Sequence, residues 1–505
     1  SWPTRCQRRS WTNFSRNPDM LRGTLSIDTD SLGQGMLRFA LNDDLVEAAI
    51  HPGLPALDFL RDEAGLTGVK FACREGDCGS CVILLGQPVG DTIRYRVVTS
   101  CLLPVGALDG HHVVTIEGLT HKSQGPIQNA FADEGASQCG FCTPGFVVAF
   151  TGFLLEARDW NEQEAIEAIA GNICRCTGYA SIRRSLTSVL ERLRNDVDPN
   201  ERRIPALVRL GFLPEYFLRI NGLVGDFPTK KPPPQEASRV VIGGGTDLYV
   251  QRPDDLQDGE VSVLPIESET PVWQDDDYIY LDAAATAEDM KRSEILERNV
   301  GGIERAMRLM GSLPIRQRAT VAGNIVNASP IGDMTIALLA LDAEIGLAGA
   351  ASRRSLPLHR FFHGYKDLDL REGELVDWIR IPTPASDALF TFEKVSKRTH
   401  LDIASVNTAM AIRVVDGKIQ TACLAAGGVA PIPKQLRATA EFLVGRAPDA
   451  ETALAAAEVA RSEATPITDV RGSADYKRLL LGQLVLAHFN VLFGLEAGLL
   501  EEATA

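Results

Sequence analysis

From about Met36 the chain shows ordered apolar periodicities whose character changes along its length. LRFALNDDLVEAAI carries two strand-like runs on either side of Asn42–Asp43, the pattern of a hairpin. In LPALDFLRDEAG, Leu57, Leu60 and Ala64 share one helical face and Gly65 supplies the stop. CVILLG and RYRVVTSCL then read as strands. Between Gln124 and Arg194 the period lengthens to that of helices. FVVAFTGFLLEA is apolar all round, and NEQEAIEAIAGN opens on Asn161 and Glu164 at capping-box spacing and stops at Gly171–Asn172. IPALVRLGFLPEYFLRI follows as a helical crossing element, and PTKKPPPQE as a semi-rigid proline linker. Strand-and-turn patterning returns with RVVIGGGTDLYV. In RATVAGNIVNASPIGDMTIALLALDA we expect a strand-to-turn element at Gly323–Asn324 and a helix capped by Asp333. From about Ala385, FTFEKVSKRTHLDIASVNTAMAIRV holds two strand-like runs around a polar loop, and alanine-rich helices such as DAETALAAAEVARSEA follow.

These shifts predict an α+β multidomain chain with units at 36–120, 121–194, 237–384 and 385–495, and a linker over 195–236. Residues 1–35 stand apart. Arg5, Arg8, Arg9, Arg16 and Arg22 dominate them, and no apolar stretch follows the Arg8–Arg9 pair as an export signal would require. They read as a disordered leader or a misplaced start, in which Cys6 is unliganded.

Composition narrows the function classes. A length of 505 residues matches about three to four domains. No apolar run reaches the roughly 20 residues that cross a bilayer, so no membrane contact is expected. A net charge of −15 argues against a nucleic-acid surface. Ten cysteines in so long a chain do not make a disulfide scaffold. Eight sit at ligand-like spacings, which points to reduced thiols and a cytoplasmic location.

CREGDCGSC places Cys73, Cys78 and Cys81 at C-x4-C-x2-C spacing, with Cys101 arriving from another segment. This is the plant-type spacing that wraps a loop around a [2Fe–2S] cluster. Gly76 and Gly79 let the backbone turn tightly and approach such a core. The alternative, a zinc knot, favours paired C-x2-C knuckles. With its strands and single helix, the segment forms a ferredoxin-like β-grasp domain. A second set, Cys139 and Cys142 in SQCGFCTPG with Cys174 and Cys176 in GNICRCTGY, lies at helix ends. Helix packing can bring those four sulfurs together around either zinc or a second cluster.

Farther along, the glycines of GGGTDLYV free successive backbone N–H groups to form an anion nest, the alternative being a plain tight turn. A Rossmann fingerprint fails, since the last glycine would fall on Leu248. The polar turn at Gly323 lies 80 residues beyond Gly243, and two such turns suit a long ligand such as FAD.

CREGDCGSC, QCGFCTPG and ICRCTGY, in this order, resemble the molybdenum hydroxylase family, xanthine dehydrogenase and its relatives. The resemblance extends from Met36 to Phe493. It implies a four-helix [2Fe–2S] domain after the ferredoxin-like one, and a vanillyl-alcohol-oxidase-like FAD domain with a C-terminal α+β flavoprotein domain. By position, Val241, Ile242, Gly243, Gly244, Gly245, Thr246, Asp247 and Leu248 would line the FAD pyrophosphate. Thr320, Asn324 and Asp333 would hydrogen-bond the cofactor beside Gly323, and Val376 and Lys394 would sit near the flavin end. Met310 stands where relatives place a phenylalanine against the adenine. The resemblance further implies the small subunit of a xanthine dehydrogenase-like enzyme of purine catabolism, with no catalytic side chain of its own. A large partner subunit would hold molybdopterin in an (αβ)2 heterotetramer. Electrons would run through the helical-domain cluster, the ferredoxin-like cluster and FAD to NAD+. NAD+ would dock on a loop offering Lys394, Lys397, Arg398 and Asp402, where His400 is a loop residue; Cys423 is read as core. Two other readings stay open: a relative acting on aldehydes or other N-heterocycles, and a non-catalytic electron-transfer subunit that passes electrons to a quinone or protein carrier.

Overall fold

A computed structural model describes residues 25–26, 36–120, 124–198, 200–224, 240–350, 352–399 and 401–495. The leader other than 25–26, the PTKKPPPQE stretch, Cys6 and His400 lie outside the described residues. Among those described, no helix is long and apolar enough to cross a membrane.

The hairpin pairs Leu37–Leu41 with Asp44–Ala48, and Asn42 takes the left-handed conformation (φ 56°) that asparagine tolerates in such turns. The two strands join Val82–Val89, Thr92–Thr99, His112–Val114 and the short Leu25–Ser26 in one six-stranded sheet. Ala56–Asp58 continues into a π-helical turn, Phe59–Glu63, and Gly65 ends it at φ 69°.

Helix Thr143–Glu156 buries every residue from Gly145 to Leu155, because it is wedged between this sheet and the neighbouring helices. Close approach depends on Gly152, where a Cβ would meet Val97 Cγ2 at 2.2 Å. Helix Glu162–Ile169 starts where the sequence indicates, with the Asn161 side chain accepting from the Glu164 amide at 2.8 Å. Ala180–Asp196 completes the block. The crossing element is broken into Arg203–Arg209, a 3-10 turn at Glu215–Leu218 and Ile220–Val224. Leu207, Phe212, Tyr216, Phe217 and Ile220 pack into the same apolar core as the helices and the sheet face.

The region from Val240 onward pairs Val240–Ile242 with Val261–Val263 in parallel and adds a five-stranded antiparallel sheet containing Leu375–Pro382. Beyond it, Ala388–Val395, Val406–Val415 and Lys418–Gly427 form an antiparallel sheet. Helices Ala450–Glu463 and Ala474–Phe493 pack on that sheet's apolar face.

Two local expectations are corrected. Gly323 and Asn324 lie in a helix, Val321–Val326, not a strand-to-turn element. Thr320 caps it by accepting from the Gly323 amide at 3.1 Å, and Val321 and Ile325 are buried one helical turn apart. Helix Asp333–Ala340 is capped at Gly332, with no side-chain cap. The Asp333 carboxylate instead accepts from Asn407 at 2.6 Å and from Lys394 at 2.7 Å.

Candidate functional site

The first cysteine loop is held by three left-handed residues, Arg74 (φ 58°), Gly76 (78°) and Gly79 (66°), which curl it around its own sulfurs. Cys73 Sγ accepts from the amides of Glu75 and Cys78, both at 3.4 Å. Within the couples Cys73–Cys78 and Cys81–Cys101, hydrogen bonding pushes Cys73 and Cys101 up, while it brings Cys78 down to about 4 and Cys81 down also. The couples also feel each other's charge, Cys81 that of Cys78 and Cys101 that of Cys73, so the four sulfurs converge.

The second set forms the couples Cys139–Cys176, with sulfurs 3.8 Å apart, and Cys142–Cys174. Burial, and then Cys174, pushes Cys142 up to about 12. Burial opposes ionisation of Cys174 too, but hydrogen bonds from Thr177 outweigh it and hold that thiol down. The Tyr179 hydroxyl accepts from the Cys174 amide at 3.0 Å. Cys139 and Cys176 are exposed, as are the nearby apolar side chains Phe141, Ile173 and Tyr179. Cys81 and Cys101, by contrast, are 2 % and 5 % exposed. The Cys78 carbonyl accepts from the Ile173 amide at 3.0 Å, so the two loops touch backbone to backbone. No group of three His, Cys, Asp or Glu among the described residues closes round a single metal ion.

The Cys101 segment, against which the first loop packs at Gly76 and Leu102, meets the glycine turn after Val240–Ile242. A Cβ on Gly245 would lie 3.0 Å from the Leu102 carbonyl, and one on Gly76 would lie 2.7 Å from Ile315 Cδ1. The turn is governed by a residue the sequence reading missed, Arg318. Its fully buried guanidinium donates to the Gly243 carbonyl at 3.2 Å and to the Gly244 carbonyl at 3.3 Å. Because a trans peptide sets its N–H opposite its C=O, this turns the Gly244 and Gly245 amides away from Arg318. Among the described residues, none of the amides from Gly243 to Asp247 meets an acceptor. Burial lowers Arg318 to about 10. Burial opposes ionisation of Glu267, yet His111, Arg96 and Arg318 hold it at about 2. Only the long-range fold brings these groups together, so no local signal marked them.

The other sequence-named positions gather nearby. Asp247 accepts from Asn327 at 2.7 Å, which ties the glycine turn to the end of helix Val321–Val326. Lys366 also donates to Asn327, at 2.8 Å to its side chain. Asn324 Oδ1 accepts from the Thr335 amide and hydroxyl, at 3.1 and 2.8 Å. Met310 and Val376 are half-buried against the flavin-region core. Val241, Ile242, Thr246 and Leu248 flank the turn.

The acceptor loop is corrected at one position. Lys394 belongs to strand Ala388–Val395, and its ammonium, 3 % exposed, is committed to Asp333 and the Leu309 carbonyl. Arg398 faces Asp402, whose carboxylate accepts from the Arg398 amide at 2.9 Å. Lys397 is exposed. The loop borders the first cysteine loop, since burial raises Asp77 while Arg398 pulls it back. Cys423 is half-buried and accepts from Gln435 Nε2 at 3.0 Å.

Comparison with known proteins aligns with this layout. Residues 39–105 match the model of a 2Fe-2S iron-sulfur cluster binding domain, and residues 115–187 a [2Fe-2S] binding domain. Residues 233–384 match the FAD binding domain in molybdopterin dehydrogenase, and 391–491 the CO dehydrogenase flavoprotein C-terminal domain. Xanthine dehydrogenase of Emericella nidulans is 27% identical over 477 residues, covering 81% of this chain and 35% of the relative. Xanthine dehydrogenase 1 of Arabidopsis thaliana is 28% identical over 480 residues, covering 77% and 34%. The nicotinate hydroxylase of Emericella nidulans is 27% identical over 590 residues, covering 92% and 42%. The chain thus spans between a third and under a half of the length of these relatives. A carbon monoxide dehydrogenase structure from Hydrogenophaga pseudoflava superposes at TM-score 0.47 and 26% identity, covering 50% of this chain and 88% of that one. By this succession of domains the chain belongs to the molybdenum hydroxylase family, of which it carries the iron–sulfur and FAD-binding portion.

Proposed function

We propose that Cys73, Cys78, Cys81 and Cys101 hold one [2Fe–2S] cluster, that Cys139, Cys142, Cys174 and Cys176 hold another, and that the Gly243–Leu248 turn binds the FAD pyrophosphate. Each set offers only sulfur in two couples, and since no three donors among the described residues close round one ion, the arrangement suits a two-iron core better than a single tetrahedral ion. Converging thiolates repel one another, which a cationic core relieves. At the glycine turn, Arg318 orients the carbonyls inward and leaves a row of amides for an anion. Thr320 lies beside that turn, 3.5 Å from where a Cβ on Gly243 would stand, and we assign Gly323, Asn324, Asp333, Met310, Val376 and Lys394 to the rest of the cofactor's surroundings. Bound there, the clusters would carry electrons singly and the flavin would exchange them in pairs.

The observation that carries this reading is contact continuity. The second cysteine loop bonds to the first through Cys78 and Ile173, and the first set meets the glycine turn through Leu102, the neighbour of Cys101, and Gly245. The domain division we adopt keeps the boundaries 36–120, 121–194, 237–384 and 385–495. A separate molybdopterin-bearing subunit would dock where Cys139, Cys176, Phe141, Ile173 and Tyr179 are exposed. Xanthine is our first choice of substrate for that assembly, and NAD+ of acceptor, in a cytoplasmic (αβ)2 heterotetramer. A second reading, an N-heterocycle hydroxylase, is favoured by the nicotinate hydroxylase match over 92% of the chain.

Steady-state kinetics of the assembled enzyme with Lys397→Glu test the acceptor. A raised KM for NAD+, with xanthine still reducing the clusters, is expected. An unchanged KM rejects the loop, and full turnover with oxygen alone rejects NAD+. Turnover of nicotinate but not xanthine would select the second reading.

A further inference from the structure

We propose that Asn172 is a positioning residue that sets the separation of the two cysteine loops for electron transfer between them, an inference resting on the reading that both loops hold clusters. Asn172 follows helix Glu162–Ile169, donates its amide to the Ile169 carbonyl at 2.9 Å and is 3 % exposed. Its Nδ2 donates to the Gly79 carbonyl at 2.9 Å. The adjacent Ile173 amide donates to the Cys78 carbonyl. Two neighbouring hydrogen bonds therefore clip Cys78–Gly79 to Asn172–Ile173, one residue before Cys174.

Glycines clear the space for the clip. A Cβ on Gly79 would stand 2.6 Å from Asn172 Nδ2, and one on Gly145 would stand 2.3 Å from the Gly79 carbonyl. A Cβ on Gly171 would press on Ser312 at 2.9 Å. A side chain at Gly79 or Gly145 would wedge the loops apart, and one at Gly171 would push the Asn172 segment off Ser312. Asn172 Oδ1 and Ser312 Oγ are buried without partners among the described residues. Leaving a buried amide oxygen unsatisfied costs about 1–3 kcal/mol, which an apolar residue of similar size would avoid. Filling space does not account for an amide here. Gripping the Gly79 carbonyl does.

The test uses the full chain carrying its iron, with Asn172→Asp and Asn172→Ala. Asp keeps the shape but turns an acceptor toward the Gly79 carbonyl; Ala removes the donor and adds no charge, so it decides alone if the Asp variant loses iron. Reduced samples are compared by the spin–spin splitting between the two paramagnetic signals, by the inter-cluster equilibration rate, and by hydrogen exchange of the Ile173 amide. We expect iron content retained in Asn172→Ala, with weaker splitting, faster exchange of the Ile173 amide and slower equilibration between the clusters. Wild-type splitting and exchange in an iron-replete Ala variant would overturn the proposal. Wild-type chain without iron and sulfide would instead sink the cluster assignment.

Discussion

The two cysteine sets achieve the same convergence by opposite means. In the first, one loop supplies three sulfurs, and its left-handed residues Arg74, Gly76 and Gly79 make it nearly self-sufficient. In the second, two loops at separate helix ends supply two sulfurs each, and helix Glu162–Ile169, packed against both Thr143–Glu156 and Ala180–Asp196, brings them together. The first set is the more enclosed and faces the glycine turn, while the second exposes Cys139 and Cys176. Local turns built the inward-facing site, and helix packing built the outward-facing one. Solvent exposure and hydrogen bonds to sulfur tune cluster potentials, so the two should differ in potential.

The largest expected effects separate the sets outright. Cys78→Ser should abolish one paramagnetic signal and Cys142→Ser the other, each with loss of about two of about four irons. Cys423→Ser should lose neither. Metal analysis and electron paramagnetic resonance check this, and simultaneous loss of both signals would mean that the sets do not assemble independently.

Next comes the glycine turn. A Cβ on Gly244 would lie 1.9 Å from the Arg318 carbonyl, whereas one on Gly243 meets only Thr320 Oγ1 at 3.5 Å. Gly244→Val should therefore destabilise the fold by about 3 kcal/mol or more through overpacking. Gly243→Val should stay folded, keep its iron and lose flavin, as absorbance and thermal unfolding would report.

The buried Lys394–Asp333 pair offers the third test. Lys394→Met leaves the Asp333 carboxylate with Asn407 as its remaining partner, and removing one member of such a pair costs about 3–5 kcal/mol. Urea unfolding should show the drop in the flavin region while both cluster signals persist.

The smallest effect concerns the seam where Glu267 of the flavin region meets Arg96 and His111 of the ferredoxin-like sheet. Folding lowers the Glu267 carboxyl from 4.5 to about 2. Between those values the unfolded chain binds more protons, so stability rises with pH there and is lost as pH falls through the window. The amount is at most about 3 kcal/mol, and Glu267→Gln should flatten that part of the stability–pH curve.

What the sequence disclosed follows from the range of each interaction. Cysteine spacing, the Asn42 turn and the Asn161 cap are decided within a few residues and were legible. Gly323–Asn324 misled because glycine and asparagine favour turns, while the cap from Thr320 and the burial of Val321 and Ile325 outweighed that propensity. Asp333 looked like a cap until Lys394, 61 residues away, claimed it. Arg318 reaches back 75 residues to Gly243, and Asn172 reaches back 93 to Gly79. Such pairs exist only once the domains have docked.

Both cysteine sets and the glycine turn should work as one continuous electron-carrying unit. An anaerobic reductive titration of the purified chain, followed by flavin absorbance and paramagnetic resonance, tests it most directly. Uptake of about four electrons per chain is expected, one for each cluster and two for the flavin, with two distinct cluster signals. Uptake of about two electrons with only flavin bleaching, or bound zinc without sulfide, would contradict it.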